Sequence, residues 1–266
     1  MGTTSKALSL LNFFSRAQSE IGLSDMARLS GMNKATVHRL LTELATHGFV
    51  EQTGSGREYR LGPAVLRLAA LREHTVPMRE MAQQVLEELS RATGETAHMS
   101  VLSGETLATT AYTYSHAHGT MVMMEDAEVL DLHATSSGLS VLAFSPPAFI
   151  DTVLSAPLRA RTPQTVTDPN AIRAMLPTIR ARGYATSIGG FEEDVHSYAV
   201  PVFDARMQAM GAVAVATPVS RMTGVLRARV LDELMTRVPA LTRLMGGFLP
   251  STFPTFEPQQ PLQKEG

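Results

Sequence analysis

Two groups of residues in this chain have the types and spacing to do chemistry. In LSDMARLSGMNKATVHRLLTEL, residues 23–44, the helical period turns Lys34, Ala35, Thr36, His38 and Arg39 to one side, with Ser24 upstream. Short polar and basic side chains of this kind reach phosphates and base edges, and Lys34 and Arg39 suit phosphate or guanine. Arg57 and Arg60, on either side of Tyr59, add positive charge further on. In HATSSGLS, Ser136 and Ser137 stand where a helix begins, so their backbone N–H groups and hydroxyls would face an anionic or polar ligand.

Other polar clusters read less sharply. His116 and His118 in SHAHG, with Glu125, Asp126 and Glu128 nearby, hint at a metal site, since alternate residues of a strand share a face. No third ligand has a defined spacing, and a polar loop beside a solvated acidic cluster explains them better. His133, and His196 beside Ser197, would suit a base with a serine nucleophile, but there is no GxSxG elbow and no partner acid. His133 therefore reads as a loop hydrogen-bonder, residues 121–124 as core or pocket wall, and Glu192, Glu193 and Asp194 as an exposed loop. No catalytic residue, metal or cofactor is assigned, so an enzyme with a helical appendage is the minor alternative.

Composition bounds these readings. The 266 residues predict about two domains. Residues 1–76 hold nine Lys or Arg against six Asp or Glu, net +3, whereas 77–266 hold fourteen against nineteen, net -5, so the first quarter is the part suited to a polyanion. The absence of cysteine excludes disulfides, thiolate metal sites and cysteine nucleophiles. The apolar start is interrupted by Asn12 and lacks a clean cleavage site, and no apolar run reaches the roughly 18 residues of a membrane span. A cytoplasmic protein is expected.

The elements that must position these residues follow from periodicity and punctuation. Helices are predicted over 7–17, from a Ser24 cap through Leu29, and from an Asn33 cap to Gly48, with Ala27 and Gly31 set for a tight helix-turn-helix. A hairpin around residues 54–56 would form a wing carrying Arg57 and Arg60. Helices at 62–73 and 77–92 precede strands at 95–102, 106–114, 119–124 and 129–132. Helices at 136–144, 147–154 and 169–182, strands at 184–188, 196–203 and 210–217, and a helix over 224–246 complete an α+β pattern with an antiparallel sheet. The proline-containing tail from 249 on is expected to be disordered.

The run MNKATVHRLLTELATHGFVEQ, with YRLG after it, resembles the DNA-binding segment of the IclR family of bacterial transcriptional regulators. LHATSSGLSVLA at 132–143, TVTDPNAIRAMLPTIRARGYA at 165–185, VPVFD and PVSRMT keep the family's order, so the resemblance covers about residues 5–245. It implies a winged helix-turn-helix domain at 1–61, a linker helix at 62–76, and a GAF-like effector-binding and oligomerisation domain at 77–248. The expected partners are a pseudo-palindromic double-stranded operator, a small organic effector, and further copies of the chain in a homodimer or dimer of dimers, paired through the apolar faces of residues 6–17 and 65–71; repression is the expected mode.

Carried over position by position, the resemblance implies an effector pocket around Val122, Leu130, Ser136, Ser137, Ser187, Ser197, Ala214 and Ala216. Val122 and Leu130 would form apolar walls. The sequence departs from the family where Ser187-Ile188-Gly189-Gly190 replaces consecutive acidic residues, where Tyr198 follows Ser197, and where Leu139 and Ser140 stand in place of a lysine. A less charged pocket, suited to an aromatic acid or an uncharged aromatic derivative, is expected.

Overall fold

The computed structural model describes residues 2–14, 18–53, 57–75, 78–124 and 129–255. Its contacts divide the chain into two compact units, Met1–Pro77 and Met78–Gly266.

In the first unit, α1 (Thr3–Leu11), α2 (Leu23–Ser30) and α3 (Lys34–Thr46) surround a core of Leu10, Met26, Val37, Leu40, Leu41 and Leu44. The turn between α2 and α3 depends on Gly31, whose φ of 66° lies in the left-handed region that a side chain disfavours. Asn33 then caps α3, its Oδ1 accepting from the Thr36 N–H at 2.8 Å, as its position predicts. Ser24 is not a cap. Gly22 holds that position because β1 (Ile21–Gly22) pairs with β3 and keeps the backbone extended, and the Ser24 hydroxyl instead accepts from Lys34 Nζ at 2.9 Å. The hairpin forms from β2 (Val50–Gln52) and β3 (Glu58–Leu61), and β1 completes a three-stranded sheet in the order β1-β3-β2. Helix α1 starts and ends earlier than its apolar spacing predicts, burying Leu10 against the core and leaving Leu8 half exposed; Ala17 lies outside the described residues. Helix α4 (Pro63–Thr75) ends the unit with Leu66 and Leu68 exposed.

The second unit is a six-stranded antiparallel sheet with helices, as the segregated pattern predicts. The strands β4 (Thr96–Ser103), β5 (Thr106–Thr113), β6 (Val129–Leu130), β7 (Ala185–Ile188), β8 (Val195–Phe203) and β9 (Ala209–Pro218) lie in the order β6-β5-β4-β9-β8-β7. Strands β8 and β9 are buried along almost their whole length, which is why their sequences are continuously apolar or small. Helices α5 (Met78–Thr93) and α9 (Gly224–Leu244) pack on each other and on the sheet. Helix α6 (Ser136–Ala143) is buried at every residue and lies on β8 and β9, while α8 (Pro169–Arg182) packs on α6 and α7 (Pro147–Ser155) joins the two in sequence.

Two expectations change here. Residues 119–124 form no strand: the segment runs as coil, held where Thr96 Oγ1 donates to the Val122 carbonyl at 2.8 Å and Tyr114 Oη bonds the Met124 backbone. The start of the tail is packed rather than loose, since Phe253 is buried with its ring centroid 5.7 Å from Phe144 and 5.6 Å from Phe203. Burial of an aromatic ring outweighs the turn-forming prolines around it. Residues 256–266 lie outside the described residues.

Candidate functional site

The first candidate site is the outer side of α3. Because Val37, Leu40, Leu41 and Leu44 face the core, the helical period leaves Lys34, Ala35, His38 and Arg39 exposed on one side, with Thr36 half-buried at its edge. Thr42, one turn on, extends this face and was not singled out from the sequence; the same period would have found it. Among the described residues Arg39 forms no ion pair, whereas the wing arginines differ. Arg60 is held by Glu51, directly opposite it on β2, at 2.7 Å, and stands 4.0 Å from Glu20. Arg57 leads into β3 with a φ of 55° and is exposed. A free cation on α3 and a partnered one on the wing differ in what they can give to a phosphate, since a partnered guanidinium must first leave its carboxylate.

The second candidate site is a cavity between α6 and the sheet. Thr135 Oγ1 caps α6 by accepting from the Gly138 N–H at 3.0 Å. Gly138 lets the helix approach residue 132 closely: a Cβ there would lie 2.4 Å from the Leu132 Cα and carbonyl oxygen. This approach sets Ser136 and Ser137 over the sheet, where the Ser136 hydroxyl donates to Ser197 Oγ at 2.8 Å and Ser137 Oγ lies 3.5 Å from His98 Nε2. Ser187, on β7, donates to the Ala134 carbonyl at 2.9 Å.

Seven of the eight pocket positions inferred from sequence line this one cavity: Val122, Leu130, Ser136, Ser137, Ser187, Ser197 and Ala216. Ala214 does not. It sits one rung further along β9, opposite His98 and Ala199, fully buried but outside the cavity lining. Met124, which the sequence suggests as core or pocket wall, and Glu192, read from the sequence as part of an exposed loop, also line the cavity, and His98, Thr135, Phe191 and Val195, which the sequence does not single out, complete the lining. His98 carried a signal: in β4 the residues Thr96, His98 and Ser100 alternate with Ala97, Met99 and Val101, so one face of a buried strand is polar.

Among the described residues no lysine or arginine lines the cavity. Its titratable liners are His98 and Glu192. His98 is 5% exposed, and burial lowers its pKa to about 4, so the ring is neutral at physiological pH. Its Nδ1 has no hydrogen-bond partner. An unpaired buried polar atom costs about 1–3 kcal/mol, which a ligand group meeting it would recover. Glu192 stands at the mouth, open to solvent on one side, and partial desolvation raises its carboxyl pKa. The cavity measures about 40 Å3, room for roughly three waters.

Its walls are tied down from both sides. At the mouth, Arg161 pairs with Asp131 at 2.5 Å and lies over the Phe191 ring at 4.9 Å, while Thr162 and Thr165 hydroxyls donate to the Gly189 and Gly190 carbonyls. On the other side, Arg221 grips Glu95 with both Nε and Nη2, at 2.6 and 2.7 Å, and reaches the Thr120 carbonyl at 3.1 Å, just before Val122 enters the wall. Glu95 is 1% exposed. Removing one partner of such a pair strands a buried charge at a cost of about 3–5 kcal/mol. With Arg221 itself 22% exposed, Arg221→Met is expected at the lower end, about 3 kcal/mol, and Glu95→Gln in the same chain is expected to restore part of it. Thermal unfolding of the two variants measures this; equal melting temperatures for wild type and Arg221→Met would show that solvent already satisfies Glu95.

The histidines weighed for catalysis are engaged elsewhere. His133 Nε2 bonds the Arg159 carbonyl at 2.9 Å, a loop brace, and His196 Nε2 bonds Thr186 Oγ1 at 3.1 Å with its ring against Tyr198. His118 Nε2 approaches Glu95 at 4.0 Å, while Glu125, Asp126 and Glu128 lie outside the described residues. Among the described residues, no group of three metal-ligating side chains forms and no helix is long and apolar enough to cross a membrane.

Comparison with known proteins accords with this geometry. Residues 3–54 match the IclR helix-turn-helix domain, and residues 70–243 match the bacterial transcriptional regulator IclR C-terminal domain. The glycerol operon regulatory protein of Streptomyces coelicolor is 30% identical over 91% of this chain and 95% of its own, and the transcriptional regulator XynR of Escherichia coli is 28% identical over 91% and 96%. A crystal structure described as that of an ICLR transcriptional regulator from Silicibacter sp. TM1040 superposes with a TM-score of 0.86 at 57% identity, covering 96% of this chain and all of that one. The matched relatives are transcriptional regulators and not enzymes. With a helix-turn-helix domain followed by an α+β domain, matched over nearly its whole length, the chain belongs to the IclR family of bacterial transcriptional regulators.

Proposed function

We propose that the protein is a cytoplasmic repressor that binds a pseudo-palindromic operator as a homodimer or dimer of dimers and is controlled by a small organic effector. The observation that carries the DNA reading is the exposed face of α3, where Lys34, Ala35, His38 and Arg39 stand clear of the core, with Thr36 beside them, Ser24 bonded to Lys34 and Arg57 on the wing. One such helix reads few base pairs, so specific affinity needs two half-sites and a symmetric dimer. The exposed Leu66 and Leu68 on α4 suit that pairing. The division into a DNA-binding domain at 1–61, a linker at 62–76 and an effector domain at 77–248 belongs to the same reading.

The effector is an aromatic acid or an uncharged aromatic derivative, held by Val122, Leu130 and Ala216 on its apolar sides and by Ser136, Ser137, Ser187 and Ser197 on its polar side. A cavity of about 150 Å3 holds one benzene ring. The 40 Å3 present here therefore describes a closed state, and a ring-sized ligand enters by displacing a wall. A ligand that binds only the opened state shifts the population toward it, which is the differential affinity that allosteric control requires.

The test is fluorescence anisotropy of the full chain on its own upstream DNA at two salt concentrations, with an unrelated duplex as competitor. Competitor-resistant, salt-dependent binding supports the regulator reading. Binding without preference for any genomic fragment, with or without candidate effectors, would remove it. Ser197→Leu fills the cavity and is expected to abolish the response to effector while leaving the DNA complex intact; a normal effector titration in that variant would place the ligand elsewhere.

A further inference from the structure

We propose that this cavity takes up an organic acid together with a proton, and that His98 is the residue that receives the proton, so that effector occupancy is read jointly with acidity. The proposal rests on the effector reading of the cavity given above and adds the ionic form of the ligand and the residue that selects it.

The geometry comes first. His98 is a buried imidazole in the cavity lining, its Nε2 makes only a long contact with Ser137 at 3.5 Å, and its Nδ1 is unpartnered. Among the described residues no lysine or arginine lines the cavity, and the other polar liners are Thr135, Ser136, Ser137, Ser187, Ser197 and Glu192. A carboxylate entering alone would be a buried charge opposed by the Glu192 carboxylate at the mouth, where the Arg161 guanidinium is already paired with Asp131 and set over Phe191, which leaves hydroxyls and the start of α6 to stabilise it. A carboxylate entering with one proton forms a neutral set: the proton goes to the imidazole, whose two N–H groups then donate to Ser137 Oγ and to the ligand oxygen. No other bond forms or breaks, and the proton comes from solvent or from the acid itself.

The groups around His98 leave this role to it. From β5, Tyr112 stands opposite it in register, with Tyr114 5.1 Å from the Tyr112 ring. From β9 the facing residue is Ala214, and α6 presents Ser137 and no charged residue. Just before β4, Glu95 already holds Arg221, and His118 stands near that pair rather than in the cavity lining. His196 is bonded to Thr186, and among the described residues Glu192 is the one carboxylate of the lining, Glu125, Asp126 and Glu128 lying outside them. Desolvation keeps His98 neutral until an anion arrives, and partial desolvation makes Glu192 tolerant of a proton as well, so both act in the same direction.

The sign follows. With the free imidazole titrating at about 4, the unliganded site is unprotonated from pH 6 to 8, and binding one anion with one proton makes the association constant fall about tenfold per pH unit over that range. A ligand of the same shape without a charge shows no such slope.

The experiment is calorimetric titration of the full chain with acetate, propionate and benzoate, and with the matching amides acetamide, propionamide and benzamide, at pH 6, 7 and 8 in two buffers of different ionisation enthalpy. The expected result is uptake of one proton per acid bound and a tenfold loss of affinity per pH unit, with neither seen for the amides. His98→Gln is expected to remove the slope and the uptake while amide binding persists, and Glu192→Gln is expected to retain both. In the wild-type chain at pH 7, ring 15N shifts of His98 are expected to move from the neutral to the imidazolium pattern on saturation with acid, which tests the proposal without any variant. Proton uptake lost in Glu192→Gln but kept in His98→Gln, acid binding without uptake, or no binding by any of the three acids would each overturn it. A failure here leaves the operator titration unaffected, so the two readings fail separately.

Discussion

Gly138→Ala is expected to lower the melting temperature of the second unit by roughly 6–12 °C and to abolish the response to effector, with DNA binding by the helix-turn-helix retained in the folded protein. The added Cβ would lie 2.4 Å from the Leu132 Cα and carbonyl oxygen and 2.6 Å from its carbonyl carbon. All three are backbone atoms, so no side chain can swing away to make room. Overpacking in a core costs about 1–3 kcal/mol, and a clash with backbone belongs at or above the top of that range. For a unit of this size, about 3 kcal/mol corresponds to the stated shift. Any relief must come from α6 moving away from residue 132, which carries Ser136 and Ser137 away from Ser197 and His98. Differential scanning calorimetry measures the first effect and effector titration the second. An unchanged melting temperature would mean that α6 does not approach the Leu132 backbone as closely as described.

Arg39→Ala is expected to weaken operator binding by about 1–3 kcal/mol per half-site, roughly 5- to 150-fold, while leaving thermal stability and effector affinity unchanged. Arg39 is exposed, projects from α3 beside His38, and has no ion pair to lose among the described residues, so the substitution removes a contact with DNA and little else. If its contact is to phosphate, the slope of log affinity against log salt falls by about 1 per half-site; if it is to guanine, the slope holds and discrimination at that base pair relaxes. Arg60→Ala is the internal contrast. Its guanidinium already sits on Glu51 at 2.7 Å, so its net contribution to a phosphate is smaller by what that pair gives up. Anisotropy titrations at several salt concentrations separate the cases, and an Arg39→Ala chain with wild-type affinity and slope would take α3 out of the interface at that position.

Helix α3, the second helix of the helix-turn-helix, was legible in the sequence because everything that defines it is local. Gly31 in the turn, the Asn33 cap and the spacing of Val37, Leu40, Leu41 and Leu44 lie within fourteen residues, and a helical period that buries one set of side chains necessarily exposes Lys34, Ala35, His38 and Arg39. What that reading missed came from a partner outside the window. The strand β1 forms only because β3 is there to pair with it, and its extended backbone moves the start of α2 and turns Ser24 from a cap into a partner of Lys34.

The cavity divides in the same way. Composition and periodicity determined that the second part of the chain is an α+β unit with an antiparallel sheet, and motif resemblance brought seven of its lining residues forward. Only the tertiary structure decided where along the sheet the cavity lies, and that the His98 ring lines it while Ala214, its register partner on β9, does not. The same holds for residues 119–124, whose pattern suited a strand but which run as coil because Thr96, Tyr114 and Arg221 take up their backbone groups. Periodicity states which side of an element is buried; what it is buried against is set by contacts such as Arg221 with Glu95, 126 residues apart, and by how closely Gly138 lets one helix approach the chain before it. The small cavity volume, the neutral imidazole and the lack of a lysine or arginine among the described lining residues arise from those distant contacts, and no local stretch of the chain contains them.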